Sequence, residues 1–504
     1  MKGGIKMKRF QRFAVICAAC TLMTGAAAVL PEYPASAASV RAAAQYTDDG
    51  VLYTMYADHA EISGYQGENA AVAVPETVQG LPVTAVADGA FSGTLVRHVE
   101  LPETVSRIGT EAFAECKRLV VVTFSDELSE IGRDAFRGTF WMRAKLKTKE
   151  PVTAGRVLLD ASNCKGSVRI SDEITAIAPG AFSGNTEVTD VRLHAGITEI
   201  CEGAFSGCTG LTRLVLPEGI TEIPAEMCAG CTALTAVSQP ESLKKIGAGA
   251  FRETALVYLS LPESITGIEP ETFSGCKALI NLTGKNVAYV GARAFAGCSQ
   301  LCSADGGWSI EDIGEEAFAD CTEMQSLSDG SLLRIIGTGA FRNCTKLRSV
   351  VLSSSVAEVG QEAFAGCTAL ETATVYSAVT VFGTNVFPNQ PELLLFGYGQ
   401  TTAEQYAEEN GLKFSSLGEI MRRKPGDISG DGAITLDDAQ LVLKIYTERL
   451  AGRAYSLPDA LEIAADVDED GELTVTDAQY ILRFYTESTV AHKAIDWIDI
   501  LNKE

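Results

Sequence analysis

The chain has 504 residues, 46% of them hydrophobic and 21% charged, ordinary water-soluble material sufficient for several compact domains or one long array. A formal net charge of -24 argues against a nucleic-acid reader or a surface drawn to anionic lipid, because phosphate would repel it at long range. The same balance suits the binding of cations.

Residues 1–37 are expected to form a secretory signal. Lys6, Lys8, Arg9 and Arg12 precede an apolar run from Phe13 to Leu30, and Ala35-Ser-Ala37 offers a small-residue cleavage site. An uncleaved anchor is the alternative. Cys17 and Cys20 lie inside this run without the flanks of a lipid-attachment box. No later stretch reaches the ~20 apolar residues a bilayer needs, so the mature protein is expected outside the cell, with no membrane insertion once the signal is removed. Residues 45 to 80, with Tyr53, Tyr56, Ile62 and Val72, read as an N-terminal cap over a repeat array.

From there the sequence recurs roughly every 23 residues, a period in the range of leucine-rich repeats. Gln361-Glu-Ala-Phe-Ala-Gly-Cys367 shows the plan. Phe91, Phe113, Phe136, Phe182, Phe205, Phe251, Phe273, Phe295, Phe318, Phe341, Phe364 and Phe387 fall in register, with Leu159 and Cys228 expected in the two gaps, which makes about fourteen coils. A single coil cannot bury its apolar face whereas stacked coils can, so the period specifies a β-rich solenoid. Within a coil, alternation places Leu347, Val350 and Leu352 inward on a short strand. Val356 and Val359 follow, and Gly360 is expected to permit the bend into the Ala-Phe step. The coil between Phe140 and Val168, with Trp141 and the basic run Arg143 to Lys149, interrupts the pattern.

Eight cysteines, Cys116, Cys208, Cys231, Cys276, Cys298, Cys321, Cys344 and Cys367, share a column three residues after the Phe slot. Stacked neighbours ~4.8 Å apart could be bridged. The run from Cys276 to Cys367 has an odd number of rungs, however, and Cys116 faces Thr139, so a buried thiol ladder is the preferred reading, with an anaerobic habitat as its corollary. Metal ligation by this column is disfavoured, because its thiols point one way and do not converge.

Thr401-Thr-Ala-Glu404 offers a capping box and Gly411 a stop, predicting a helix that closes the array, with a last strand from Phe414 to Leu417. The Ala-Phe-x-Gly-Cys-x-x-Leu coils, the N-terminal cap and this Ala-Glu-Gln-Tyr-Ala-Glu-Glu-Asn-Gly helix resemble the BspA-type leucine-rich repeat proteins of bacterial surfaces, over residues 38–417. The resemblance implies adhesion or protein recognition and no shared catalysis.

After a linker at 418–425, residues 426–504 carry a duplicated acidic loop. Asp427, Ser429, Asp431, Thr435 and Asp438 in the first copy, and Asp466, Asp468, Asp470, Thr474 and Asp477 in the second, stand at loop positions 1, 3, 5, 9 and 12, with Gly432 and Gly471 at position 6. That spacing suits calcium, which takes six to eight oxygens; Ala433 and Glu472 would add backbone carbonyls. A metal-free acidic turn is the alternative, weakened by the duplication. Two ions are expected. Each loop opens nearly the same helix, Asp438-Ala-Gln-Leu-Val-Leu-Lys-Ile-Tyr-Thr-Glu448 and Asp477-Ala-Gln-Tyr-Ile-Leu-Arg-Phe-Tyr-Thr-Glu487. This loop–helix pair resembles a dockerin, a small all-α calcium module with two F-hand motifs that binds the cohesin of a cellulosomal scaffoldin. The resemblance implies partner contacts at Leu436, Asp437, Leu443 and Lys444, and at Val475, Thr476, Leu482 and Arg483; Leu443 and Leu482 could instead serve the module's own core. Ser429 in place of an acid or amide, the long spacer Arg449 to Ala465, and the differences between copies depart from the usual dockerin pattern. The tail Ala491 to Leu501, with Ile495, Trp497 and Ile498, is expected to clasp the module's ends.

No zinc-helix motif, nucleophile elbow or phosphate loop is present, and His59, His98, His194 and His492 are far apart. A non-catalytic, exported binding protein is therefore expected, tethered through its dockerin to a cohesin and presenting a repeat surface to an unknown protein or glycan. Two other roles for the array remain open: a carbohydrate-binding accessory in polysaccharide breakdown, or a spacer. Outward strand positions, among them Thr212, Arg213, Thr235, Ala236, Asn281, Ser303, Ser326, Arg348, Ser349 and Thr372, are mostly small or polar, with Tyr258 the one aromatic among them.

Overall fold

A computed structural model describes residues 44–303, 308–327, 332–419, 424–429, 431–451, 464–468, 472–493 and 495–501. The signal expected at 1–37 lies outside them. Two columns of short parallel strands run the length of the array. In one, Ser349–Leu352 pairs with Thr372–Val375 so that Val350 meets Ala373. In the other, Glu358–Val359 pairs with Val381–Phe382. Partners are one period apart, so about fifteen turns are stacked in register. Leu347, Val350, Leu352, Val356 and Val359 are all buried.

The first turn is an antiparallel meander of Ala44–Asp48, Val51–Met55 and Ala60–Tyr65, whose last strand pairs in parallel with Leu81–Val86. Tyr53 and Ile62 are buried beneath it. At the far end the helix Thr402–Asn410 closes the array and Gly411 ends it in the left-handed region at φ 66°. The expected capping box is not formed as drawn: the Thr401 hydroxyl donates to Tyr398 O, and Glu404 accepts from Gln400 N at 2.6 Å. The last strand, Lys413–Glu419, runs two residues past the expected Leu417.

Between the strand columns lies the Phe turn. From Phe251 to Phe387 successive rings stack at 5.2–5.7 Å with planes within 14° of parallel. Cys228 fills its gap, its N–H bonded to Ala250 O as Phe205 N is to Met227 O. Leu159 does not fill the other. Ala161 N bonds Ala181 O, the contact a slot residue makes, while Leu159 sits half-buried on the strand Val157–Asp160. The helix Phe140–Lys145 and the hairpin of Val152–Ala154 with Val157–Asp160 occupy this coil, so counting by period misses the slot by two residues. Trp141 packs on Phe136 at 5.0 Å and on Phe124 at 5.5 Å, ending the first ring stack, and the apolar core divides here.

Gly360 has a different reason for being glycine than the expected bend. Its φ is not positive, and a Cβ there would lie 2.4 Å from Thr338 N of the preceding rung; Gly337 and Gly383 meet the same obstacle. The backbones of successive rungs pass too closely for a side chain. Two residues before Phe the chain enters the left-handed region, and Glu111, Glu226, Glu271, Glu316 and Glu362 adopt it at φ 49–57°. Each such non-glycine costs roughly 1 kcal/mol or more, held in place by the packed rungs on either side.

Phe318 stacks at 5.2 Å on Phe295 and 5.3 Å on Phe341 and is fully buried. Phe318→Ala should destabilise the array by about 3–5 kcal/mol in urea unfolding. A loss under 1 kcal/mol would show that the ring column is not what holds the rungs.

Candidate functional site

The two acidic loops are organised by the carboxylate at the twelfth position. Asp438 accepts from Ser429 N at 2.7 Å, Thr435 N at 2.8 Å and the Thr435 hydroxyl at 3.0 Å, joining loop entry to the start of the helix Leu436–Leu450. Asp477 does the same, accepting from Val467 N at 2.9 Å and Thr474 N at 2.8 Å at the start of Val475–Tyr485. Both are fully buried. Burial pushes the Asp477 carboxyl above its ordinary value; the Thr474 and Val467 amides oppose this, and the charge of Asp466 adds to it.

Ligand-bearing oxygens of Asp466, Asp468 and Asp477 lie within 4.8 Å of one another. Three carboxylates so close repel unless a cation sits among them. In the first loop Asp427 is buried and accepts from Gly432 N at 3.0 Å. Asp431 is exposed and accepts from Ala433 N at 2.8 Å. Among the described residues Ser429 Oγ is buried with no hydrogen-bond partner, an orphaned oxygen at the third loop position. Gly432 takes φ 87°, the sharp turn expected of it. Ala433 and Glu472 are exposed and Thr435 and Thr474 half-buried; Asp470 lies outside the described residues. The donor set of both loops fits a hard, oxygen-preferring cation.

The eight residues suggested for partner contact do not share one environment. Leu436, Val475 and Leu482 are exposed at 42%, 39% and 42%, Asp437 is exposed and Thr476 half-buried. Arg483 donates to Ile500 O at 3.3 Å and lies 3.6 Å from Glu487. Lys444 instead faces the repeat array, while Leu443 packs into a cluster made mostly of the module's own apolar residues. Leu443 packs against a cluster that joins Ala378 and Val379 to Ile428, Val442 and Ile445, and Lys444 Nζ is 3.1 Å from Glu358. Neither Glu358 nor Val379 was signalled by the sequence, since both read as ordinary coil positions. The tail closes the module: Trp497 stacks on Phe484 at 4.6 Å and its indole N–H donates to Pro425 O at 2.9 Å. Gly426, at φ 87°, leaves room for that ring, because a Cβ would lie 2.5 Å from it.

On the array, the cysteine column is a hydrogen-bond ladder. Each thiol reaches the slot carbonyl of the preceding rung, from Cys116 to Phe91 O at 2.8 Å to Cys367 to Phe341 O at 3.1 Å. Asn185 and Gln390 occupy the same slot and do the same with their amides. Among the described residues twelve cysteines are free, ten buried, with Cys201 and Cys302 half-buried. Burial raises the Cys276 thiol to about 11 and Cys201 to about 12, the latter helped by the charge of Glu199. Such thiols are poor nucleophiles. On the exterior the outward positions read from the sequence are exposed or half-buried, and Tyr289 and Tyr376, each 43% exposed, join Tyr258 at 63%.

A family model described as BspA type leucine rich repeat region matches in six copies at residues 84–152, 161–280 and 278–393, more than half of the chain. The gap after 152 falls at the irregular coil. Similar solved structures include a leucine-rich repeat protein from Bacteroides ovatus, 24% identical with TM-score 0.47, covering 74% of this chain and 99% of that one. A leucine rich cell surface protein from Faecalibacterium prausnitzii is 24% identical over 74% and 99% of the two chains, with TM-score 0.37. The pneumococcal vaccine antigen PcpA is 14% identical over 74% and 98%, with TM-score 0.33. No curated protein matches the chain. No helix among the described residues is long and apolar enough to cross a membrane.

In native protein at neutral pH, maleimide should react slowly and only at Cys201 and Cys302, and after denaturation at all twelve described cysteines. Fast native labelling of Cys321 or Cys344, read by mass spectrometry, would contradict a sealed thiol column.

Proposed function

The chain belongs to the BspA-type leucine-rich repeat family, and from that premise we propose that its array is a non-catalytic protein-recognition surface working outside the cell. We propose further that residues 426–504 are a dockerin, fastening this surface to a cohesin of a scaffoldin in a calcium-dependent manner. The observation that carries the second part is the convergence of Asp466, Asp468 and Asp477 at the start of a helix whose sequence repeats that of the first loop. The unpartnered Ser429 hydroxyl supports a ligand set in the first loop as well.

In this reading Asp427, Ser429, Asp431, Thr435 and Asp438 hold one ion and Asp466, Asp468, Asp470, Thr474 and Asp477 the other, with the carbonyls of Ala433 and Glu472. Calcium, when bound, supplies the positive charge that lets these carboxylates stay ionised and together. The residues of the chain do the rest. Asp438 and Asp477 fix the helix starts, and Trp497 holds the two ends of the module together through Pro425. The mixed exterior of the array, polar with isolated exposed tyrosines, is the kind that interfaces use to combine hydrogen bonding with aromatic anchors.

Calorimetric titration of the full chain should show two calcium sites, and Asp477→Asn should weaken one of them at least tenfold while leaving the other. Retention on an immobilised cohesin panel should require calcium and vanish with a chelator. Absence of calcium uptake, or cohesin retention unchanged by chelation, would rule the docking role out; the array's role would then be sought by capture of proteins or insoluble polysaccharide.

A further inference from the structure

We propose that the irregular coil between Phe136 and Phe182 is a docking site for an acidic peptide segment that carries one bulky apolar residue. The apolar residue enters a cleft beside Thr153, and the carboxylates around it meet the basic turn at 143–149. This rests on the reading of the array as a protein-recognition surface, and it names one place on that surface and the chemistry of its partner.

The coil contains what a regular rung does not. The helix Phe140–Lys145 and the hairpin of Val152–Ala154 with Val157–Asp160 occupy it, and the family match passes over 153–160. Against the hairpin lies an open cleft of about 310 Å³. Leu158, Ile170 and Ile174, all buried, and the half-buried Pro151 make its depth apolar, while the exposed Thr153 and Arg169 stand at its mouth. Its volume is near the lower limit of small-ligand pockets, which suits a single large side chain.

The approach to the cleft is basic. Arg143, Lys145, Lys147 and Lys149 are exposed, and no carboxylate interrupts 143–149. Among the described residues none of the four is in an ion pair; Lys145 lies 6.0 Å from the centre of the Trp141 ring, and Arg143 Nε donates to Thr139 O at 3.2 Å. Elsewhere on the array cations sit on neighbouring carboxylates, as Arg137 does on Glu111 at 2.8 Å, Arg252 on Glu226 at 3.1 Å and Lys346 on Glu323 at 2.6 Å. The basic turn is held in shape, because the Thr148 hydroxyl donates to Lys145 O at 2.8 Å and the Asn163 amide donates to Leu146 O. Lys149 leads directly into Glu150 on the cleft, so the cations and the mouth are contiguous.

Magnitudes decide whether a chain of net charge -24 can attract an acidic partner here. Residues 143–153 and 169–174 hold five cations against three carboxylates, Glu150, Asp172 and Glu173. At ~0.15 M ionic strength charges beyond about 8 Å are largely screened, so this local excess sets the field that an arriving segment meets. The cations steer and orient the segment, and the buried anchor supplies most of the affinity. A neutral peptide gains only the second, and an anionic chain without an anchor only the first.

Fluorescence anisotropy on the full chain tests this, with a labelled peptide of Asp and Glu around one central Phe as the probe. Saturable binding is expected at ~0.15 M salt, weakened at least tenfold at ~1 M salt and by Lys147→Glu/Lys149→Glu. Thr153→Trp should fill the mouth and weaken binding at least fivefold. Both changes are at exposed positions, and a peptide with Ala in place of its Phe, expected to bind at least fivefold more weakly, tests the cleft without altering the protein. No binding, or binding unaffected by the charge reversal, by Thr153→Trp or by loss of the Phe, would overturn the site. Binding of polygalacturonate in place of the peptide, lost in the charge-reversed chain, would make the occupant an anionic glycan and overturn the peptide assignment. A protein captured equally by the unchanged and the charge-reversed chain would uphold the recognition reading and place its site elsewhere, overturning this one alone.

Discussion

The spacing between neighbouring rungs is the constraint on which the rest of this molecule depends. Parallel strands fix that spacing near ~4.8 Å, and three unrelated features are possible only there. Phenylalanine rings meet face to face at 5.2–5.7 Å along the second half of the array. A thiol three residues past the ring reaches the slot carbonyl of the rung before it, as Cys276 does at 3.0 Å. Glycine becomes obligatory where one backbone passes the next, as at Gly337, Gly360 and Gly383. Tighter rungs would clash at the glycines, and wider ones would lose the thiol contacts and the ring stack together. The repeat sequence can be read as the record of that one distance.

This explains which parts could be read in advance. Periodicity marks any residue whose neighbour lies one rung away, so the Phe column, the thiol column and the inward set Leu347, Val350 and Leu352 were legible. Where a coil departs from the period, counting fails. The helix and hairpin in the coil after Phe136 move the slot to Ala161, and no spacing rule could separate it from Leu159. Local patterns proved weaker than they look. Gly360 satisfied a turn rule for the wrong reason, and the Thr401 hydroxyl turned to Tyr398 O because a nearby carbonyl competed with the helix start. In the C-terminal module the two acidic loops and the helices they open were legible because a loop and the helix start after it are local objects. Its seating on the array was not, because Glu358 and Lys444 are 86 residues apart and neither side chain is unusual where it stands.

Cysteine suits its column because it is small, apolar enough to be sealed and still a weak donor. Thr139 and Thr254 show what changes with a stronger donor, since their hydroxyls bond the carbonyls of their own rungs, Phe136 and Phe251, rather than the slot carbonyl of the preceding rung. Asn185 and Gln390 cross, at the cost of burying a larger polar group. The thiol thus links rungs with little polar surface to desolvate. At Cys276 the same burial raises the thiol's pKa, which leaves it a poor nucleophile.

The first acidic loop opens a helix that reaches the array at Glu358. Asp438 fixes Ser429 at one end of the loop and Thr435 at the start of Leu436–Leu450; that helix brings Lys444 to Glu358 and places Val442 and Ile445 in one apolar cluster with Ala378 and Val379. A helix whose first turn is held rigidly presents its later turns at a defined angle, so the Lys444–Glu358 contact depends on a carboxylate about two turns away. Asp477 anchors Val475–Tyr485 in the same manner, and that helix packs on its sister and the tail. The two loops nearly repeat one another in sequence, while the partners of their helices differ.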